Sequence, residues 1–122
     1  MINFQKFFTS LKIAISGLRI VFKKEQSFRI QILIGIIVIL FMIALKLNPL
    51  EVSILVLAIL LVLSLELINS QIEKFLDLIQ PDHHLKVKII KDISAAAVLV
   101  AALGAIVVGI LILLPHLISL YS

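Results

Sequence analysis

Three long apolar runs divide the chain, and they occupy residues 30–45, 52–65 and 93–114. An α-helix needs about 20 apolar residues to cross the hydrocarbon core of a bilayer, and the uncharged third run has 22. The first two runs reach that length only if their charged ends lie near the interface or inside a helix bundle. Pro115 follows the third run and is expected to end its helix. The pattern therefore predicts three transmembrane helices, at about residues 27–47, 51–79 and 87–114.

Residues 2–23 have a different pattern, in which apolar positions recur with the period of an α-helix. Seven apolar side chains fall within an arc of about 100° on such a helix: Phe4, Phe7, Phe8, Leu11, Ile15, Leu18 and Phe22. The basic residues lie outside that arc or at its edge: Lys6, Lys12, Arg19 and Lys23. The pattern predicts an amphipathic helix in the headgroup region of a membrane, with its apolar side towards the lipid.

Lysine and arginine are distributed unevenly between the segments that join the apolar runs. Ten of the eleven either precede the first run or lie between the second and third, and only Lys46 lies between the first and second. Basic residues are concentrated on the cytoplasmic side of membrane proteins. The distribution predicts a multi-pass protein whose N-terminus and 74–91 connection are cytoplasmic and whose C-terminus is external.

The composition supports the membrane class and excludes several functions. Of the 122 residues, 62% are apolar and the mean hydropathy is +1.27, whereas soluble domains are about 45–50% apolar. This length predicts a single membrane domain over residues 1–122. The absence of cysteine excludes thiolate catalysis and cysteine-ligated zinc. The net charge of +4 is too small and too scattered to indicate a nucleic acid partner.

Polar residues continue the second apolar run, at a depth where ionisable groups are costly. Glu66, Asn69, Glu73 and Asp77 are spaced i, i+3, i+7 and i+11. On an α-helix this spacing forms a polar stripe within an arc of about 80°. Such a stripe belongs in a protein interior or a water-accessible cleft, because lipid offers its charges no partner.

The residue pattern alone leaves three interpretations of the stripe open. Two carboxylates two turns apart suit Mg²⁺, which proteins usually hold with one or two carboxylates and the phosphates of a substrate. Alternatively, Glu66 and Glu73 form ion pairs with lysines of neighbouring helices and only hold a bundle together. In the third interpretation the protein is a proton-coupled transporter with Glu66 as the proton carrier.

Further polar residues are predicted at the same end of the bundle. Glu25 and Arg29 lie one helical turn apart, and on local evidence they are expected to form a salt bridge. Lys91 and Asp92 open the third span, where the pair suits a phosphate but is also an ordinary charge cluster at a helix start. The small residues 94–97 that follow favour close helix packing. No glycine-rich phosphate loop, HExxH or GxSxG motif occurs in the sequence.

Three blocks of the sequence resemble one family: "EQSFR" at 25–29, "ELINSQIEKFLD" at 66–77 and "KDISAAAV" at 91–98. They resemble the small prokaryotic integral-membrane diacylglycerol kinases, a family that includes the undecaprenol kinases. The resemblance covers nearly the whole chain, and "EQSFRIQ" is closer to the undecaprenol-kinase branch. It implies an all-α membrane protein, with an N-terminal surface helix and three transmembrane helices, that forms a homotrimer with composite sites. Gln71 stands where the family usually has alanine, and it is expected to face a partner helix.

The resemblance also assigns roles to the matching residues. Glu66 would be the general base that accepts the proton of a lipid hydroxyl, and Asn69 would help to orient it. Glu25 and Glu73 would hold Mg²⁺ on the phosphates of ATP. The residues that would contact the nucleotide or approach its phosphates are Lys6, Asp82, His84, Lys91 and Asp92.

The leading hypothesis is therefore an ATP- and Mg²⁺-dependent lipid kinase of the bacterial cytoplasmic membrane. Its acceptor would be undecaprenol or diacylglycerol. The sequence does not choose between them, because apolar spans around a headgroup site say little about which lipid enters. One alternative is the small proton-coupled transporter that uses Glu66. Another is a non-catalytic membrane assembly protein held together by the polar stripe.

Overall fold

Four α-helices account for nearly all of the computed structural model, which describes residues 1–81 and 84–122. Helix α1 is Phe4–Lys24, α2 is Gln26–Ala44, α3 is Pro49–Ile79 and α4 is Leu85–Ser119. No strand occurs in the described residues. The all-α fold predicted from the apolar runs is confirmed.

Local capping signals set where the helices begin. Asn48 accepts a hydrogen bond from the backbone N–H of Glu51, and Glu51 reciprocates on the backbone N–H of Asn48, which makes a capping box in front of Pro49. Asn3 caps α1 through its side chain, and His84 caps α4 in the same way. These side chains satisfy backbone N–H groups that a helix start leaves unpaired.

Helices α2, α3 and α4 are long and apolar enough to cross a membrane. Helix α2 has 19 residues, whereas α3 has 31 and α4 has 35. At 1.5 Å per residue, α3 and α4 are about 46 Å and 52 Å long, and the hydrocarbon core is only about 30 Å thick. One end of α3 and α4 therefore extends beyond the hydrocarbon, and this is the end that carries most of the charged side chains.

Among the three apolar helices, α3 is central and the other two pack against it. Helix α4 makes the most extensive contact with α3, α2 lies against α3, and α1 packs mainly against α2. Gly35 allows the close approach of α2, because a Cβ atom there would lie 3.1 Å from Cγ2 of Ile59 on α3. Most large apolar side chains remain exposed on the single chain, as expected of a surface that faces lipid.

Helix α1 keeps the amphipathic pattern predicted for residues 2–23. The apolar side chains of its arc, such as Phe4 and Phe8, are exposed, and only Val21 is buried. Glu25 separates α1 from α2 and is the one non-helical residue between them. The surface helix is therefore joined to the first apolar helix by a very short connection.

The predicted salt bridge between Glu25 and Arg29 is wrong. Arg29 instead donates from Nη1 to the backbone carbonyls of Phe22 and Lys23, at 2.8 and 2.9 Å. The last carbonyls of a helix have no intrahelical partner and carry the negative end of its dipole, so they attract a guanidinium that the chain folds back onto them. Glu25 pairs with a lysine of α3.

Helix α4 continues through Pro115 to Ser119, so the expectation that Pro115 ends this helix is also wrong. Proline removes one N–H from the helix, but the following turn has a compensating contact. Nε2 of His116 lies 3.1 Å from both carboxylate oxygens of Glu51 at the start of α3. This contact fastens the ends of α3 and α4 that lie opposite the polar stripe.

Candidate functional site

The polar stripe of α3 changes from buried to exposed along the helix. Glu66 is only 7% exposed and Asn69 only 8%. Glu73, one turn beyond Asn69 and two turns beyond Glu66, is half-buried, and Asp77 is exposed. The stripe therefore begins inside the bundle and ends at its surface, as a path from hydrocarbon to water requires.

The positions along α3 give these residues different depths in a membrane. Counted from Val52, the first residue after Glu51, Glu66 lies about 21 Å along the helix and Glu73 about 32 Å. A hydrocarbon core of about 30 Å would then end near Glu73. Glu66 then lies about two turns inside that boundary.

Glu66 has one side-chain hydrogen-bond partner in the described part of the chain. Nε2 of Gln31, on α2, donates to Oε2 of Glu66 at 3.4 Å. This distance is long for an N–H···O bond, so the contact is a weak one. Within residues 1–81 and 84–122, neither Glu66 nor Glu73 forms an ion pair, so ion pairing with lysines of the same chain does not explain these two carboxylates.

Asn69 connects the buried and the half-buried carboxylates. Its Nδ2 lies 3.4 Å from Oε1 of Glu73, one turn further along α3. Its Oδ1 is buried and has no hydrogen-bond partner among the described residues. A buried acceptor without a partner is unusual in a folded protein, so this amide has the capacity to accept one more hydrogen bond.

Glu25 approaches the same end of α3 from the connection between α1 and α2. Its Oε1 lies 2.9 Å from Nζ of Lys74, beside Glu73 in the sequence. Glu25 therefore reaches the part of α3 that carries Glu73, and Lys74 is its ion-pair partner.

The donor atoms at this place suit Mg²⁺, which prefers carboxylate and phosphate oxygens. No group of three or more metal-ligating side chains occurs within the residues that the structure describes. Glu25 and Glu73 would thus supply only part of the ligands, and phosphate oxygens and water would supply the others. This is the usual arrangement for Mg²⁺ bound with a nucleotide.

The predicted nucleotide residues Lys91 and Asp92 lie at the same end, but each has a partner. Lys91 forms an ion pair with Asp77, which joins the ends of α3 and α4. Asp92 pairs with Lys88, one turn earlier on α4, at 2.9 Å between exposed side chains. A phosphate would have to compete with Asp77 for Lys91.

Three further predicted residues lie less close to the stripe or outside the described chain. Lys6 is exposed in the first turn of α1, and its side chain makes no ion pair within the described residues. His84 is exposed, and its Nδ1 accepts a hydrogen bond from the backbone N–H of Lys86. Asp82 lies outside the described residues.

An apolar cleft of about 500 Å³ runs between α2, α3 and α4 and ends beside Gln31. The polar side chains in its lining are Ser27 and Gln31, both on α2. The rest of the lining is aliphatic residues, alanine and glycine, including Gly35, Leu55 and Val62. The lining of the cleft therefore suits a hydrocarbon chain, and one of its two polar residues, Gln31, contacts Glu66.

Two residues of this site were not predicted from the sequence. Gln31 carries a signal, since it is a lone amide within an apolar run, but the helix register that directs it to Glu66 is not visible in that run. Lys74 lies on the predicted polar helix, and its partner Glu25 is 49 positions earlier in the sequence. Such pairs depend on how the helices pack.

Taken together, the fold and the site define a helical membrane protein with a stripe of carboxylates on α3, next to an apolar cleft whose lining includes the Glu66 partner Gln31. The chain belongs to the prokaryotic diacylglycerol kinase family, whose model matches residues 12–113. The resemblance found in the three sequence blocks is thereby confirmed.

Individual members of the family are also similar to this chain. A diacylglycerol kinase of Synechocystis sp. is 39% identical over 112 residues, which are 91% of this chain and 64% of that protein. An undecaprenol kinase of Bacillus subtilis is 35% identical, over 92% of this chain and 91% of that protein. A diacylglycerol kinase of Haemophilus influenzae is 33% identical over 92 residues. The chain thus spans less than two thirds of the Synechocystis protein but nearly all of the Bacillus protein.

Proposed function

We propose that this protein is a lipid kinase of the bacterial cytoplasmic membrane that transfers the γ-phosphate of ATP to the hydroxyl group of a membrane lipid. The observation that supports this most is the position of Glu66. Its carboxylate is buried without an ion-pair partner in the described chain, next to Gln31 at the polar end of the apolar cleft. Membership of the diacylglycerol kinase family supports the same reaction.

In the proposed reaction Glu66 acts as the general base. The hydroxyl oxygen of the lipid attacks the γ-phosphorus, the bond to the β–γ bridging oxygen breaks, and ADP leaves with that bond's electron pair. Glu66 accepts the hydroxyl proton, and Asn69 orients the attacking group through its amide. Phosphoryl transfer requires mostly positioning and neutralisation of charge, so a few well-placed polar residues are sufficient.

Glu25 and Glu73 are the proposed protein ligands of Mg²⁺, because Glu25 pairs with Lys74, the neighbour of Glu73 in the sequence, so both carboxylates lie at the polar end of the bundle. When bound, the ion neutralises charge on the phosphates of ATP. Lys74 must release Glu25 before that carboxylate can bind a metal, since the two form an ion pair.

The nucleotide is proposed to lie outside the hydrocarbon, beside Glu25 at the end of α1 and against the start of α4. Lys91, after leaving Asp77, would neutralise phosphate charge, while Asp92 and His84 would contact the nucleotide. Lys6 and Asp82 complete the proposed set. A cationic ammonium and polar groups near a water-exposed surface are suited to a highly charged phosphate chain.

The proposed orientation places this polar end in the cytoplasm, where ATP is present, with the C-terminus outside. The distribution of lysine and arginine supports it, since ten of the eleven lie at this end. We also propose a homotrimer, which would cover part of the apolar surface. The exposed alanines 95–97 of α4 offer a surface on which another helix can pack closely.

The test compares Glu66→Gln and Glu73→Gln in purified protein, with ATP, Mg²⁺ and either undecaprenol or diacylglycerol in detergent micelles. Both substitutions keep the size of the side chain and remove its charge. We expect Glu66→Gln to reduce lipid phosphorylation by at least about 100-fold, the scale of a lost general base, and to leave binding of ATP with Mg²⁺ close to normal. Glu73→Gln should abolish phosphorylation and also weaken that binding.

Thermal unfolding and size-exclusion profiles of the same preparations provide the control. Normal specific activity of Glu66→Gln, with lowered thermal stability, would mean that Glu66 only holds the bundle together. A proton-coupled transport activity that depends on Glu66 and is independent of ATP would favour the transporter. Comparing the wild-type rates on the two lipids identifies the acceptor.

A further inference from the structure

Gln31 is the residue outside α3 that has the closest connection with the buried carboxylate. It lies on α2, in the lining of the apolar cleft, and its Nε2 donates to Oε2 of Glu66. The carbonyl oxygen of the same amide, Oε1, is buried and has no hydrogen-bond partner among the described residues. The N–H group of this amide therefore has a hydrogen-bond partner, whereas its carbonyl oxygen has none among the described residues.

A free buried carbonyl has a physical cost, because an amide oxygen removed from water normally finds a donor. Apart from Ser27, one turn earlier on α2, the lining of the cleft around Gln31 is aliphatic, alanine or glycine, and no side chain in the described residues donates to Oε1. A lipid whose hydrocarbon chain occupies the cleft would bring a hydroxyl group to its polar end. That hydroxyl is a donor of the kind that Oε1 lacks, and its hydrogen can rotate about the C–O bond.

We propose that Gln31 is a residue of the lipid-hydroxyl site with two roles, an inference that rests on the proposed function. Its N–H group positions Glu66 by holding one oxygen of the carboxylate, which leaves the other oxygen to accept the proton. Its carbonyl oxygen receives the hydroxyl hydrogen when the lipid arrives. Rotation of the hydroxyl then turns this hydrogen from Gln31 to Glu66.

The test is Gln31→Met, because methionine has nearly the same length and shape and lacks the amide. Its matched control is Gln71→Met, the same change on α3, where Gln71 is exposed and donates to Oγ of Ser70. The lipid is whichever of undecaprenol and dioleoylglycerol the wild-type protein phosphorylates. Kinetic constants for the lipid and for ATP are measured separately, together with ATP binding and thermal unfolding.

We expect Gln31→Met to reduce kcat about tenfold, the scale of one hydrogen bond to a charged group, and to raise the KM for the lipid several-fold. The KM for ATP and the affinity for ATP should stay within about twofold of wild type, since Gln31 lies inside the bundle. Gln71→Met should leave all of these constants unchanged. A purely structural role would instead lower the unfolding temperature and leave the constants of the folded fraction unaltered.

The decisive measurement is a double-mutant cycle with Glu66→Gln. If Gln31 acts through Glu66, Gln31→Met should reduce kcat by less than about twofold when Glu66 is already glutamine. A full tenfold loss in both backgrounds, or wild-type constants for Gln31→Met, would overturn the inference about Gln31 alone. Wild-type inactivity on both lipids, or full activity of Glu66→Gln, would overturn the proposed function and this inference with it.

Discussion

Replacing Lys74 with methionine is expected to strengthen the binding of the divalent cation at the proposed metal site. Lys74 Nζ lies 2.9 Å from Oε1 of Glu25, so this carboxylate already has a cationic partner when no metal is bound. A metal that uses Glu25 must break the ion pair. Methionine keeps the apolar stem of the lysine and removes the competing charge.

The magnitude follows from the exposure of the pair. The side chains of Lys74 and Glu25 are 43% and 24% exposed, so water screens their attraction. Partly exposed ion pairs of this kind contribute about 0.5–1 kcal/mol. Removing that cost corresponds to an affinity for the cation that is about 2–5 times higher.

The assay measures metal binding without relying on turnover. Mn²⁺, which is visible by electron paramagnetic resonance, is titrated into the protein with a non-hydrolysable ATP analogue, and the Mg²⁺ dependence of phosphorylation is recorded in parallel. Lys86→Met is the matched control, since Lys86 is an exposed lysine at the same end of the bundle and forms no ion pair within the described residues. That variant should bind Mn²⁺ as wild type does.

Weaker Mn²⁺ binding by Lys74→Met, or a higher Mg²⁺ requirement, would refute the reasoning and show that Lys74 assists the nucleotide complex. An equal gain in both lysine variants would also refute it, because the effect would then come from the net charge of this surface. Only a gain confined to Lys74→Met agrees with competition for Glu25.

Two further predictions concern orientation and helix packing. In intact cells, a cysteine at Ser122 should react with an impermeant reagent and one at Gln80 only after permeabilisation, as the distribution of basic residues predicts; the reverse pattern would contradict the proposed orientation. Gly35→Val should lower the free energy of unfolding in detergent by about 1–3 kcal/mol, because a Cβ atom there would meet α3 at 3.1 Å. Gly104→Val is its control, since nothing lies within 4 Å of the corresponding position, and equal stability of the two variants would argue against close packing of α2 on α3.

The fold was predictable because it depends on short-range patterns. The length of the apolar runs predicts the membrane helices, and the i, i+3, i+7 spacing places Glu66, Asn69 and Glu73 on one face of α3. The capping box at Asn48 is likewise a local signal. These features need only the geometry of a single helix.

The ion pairs and hydrogen bonds between helices were not predictable in this way. Glu25 was expected to pair with Arg29 one turn away, yet it pairs with Lys74, and Arg29 binds the carbonyls at the end of α1. Lys91 was assigned to the nucleotide, but it forms an ion pair with Asp77, and this pairing depends on how α3 and α4 pack against each other. Partners on different helices depend on packing register, which the periodicity of one helix does not contain.

The hydrogen bonds of Arg29 have a consequence for Glu25, one of the two proposed metal ligands. Arg29 on α2 holds two carbonyls of α1, across the single non-helical residue Glu25. The two helices thus meet at Glu25, and tilting α1 would move this carboxylate relative to Glu73 and strain its ion pair with Lys74 of α3. A tilt of α1 would not move Glu66 in this way, because Glu66 is buried in the bundle and contacts Gln31 of α2. Glu25 would therefore follow the tilt of α1, and Glu66 would not.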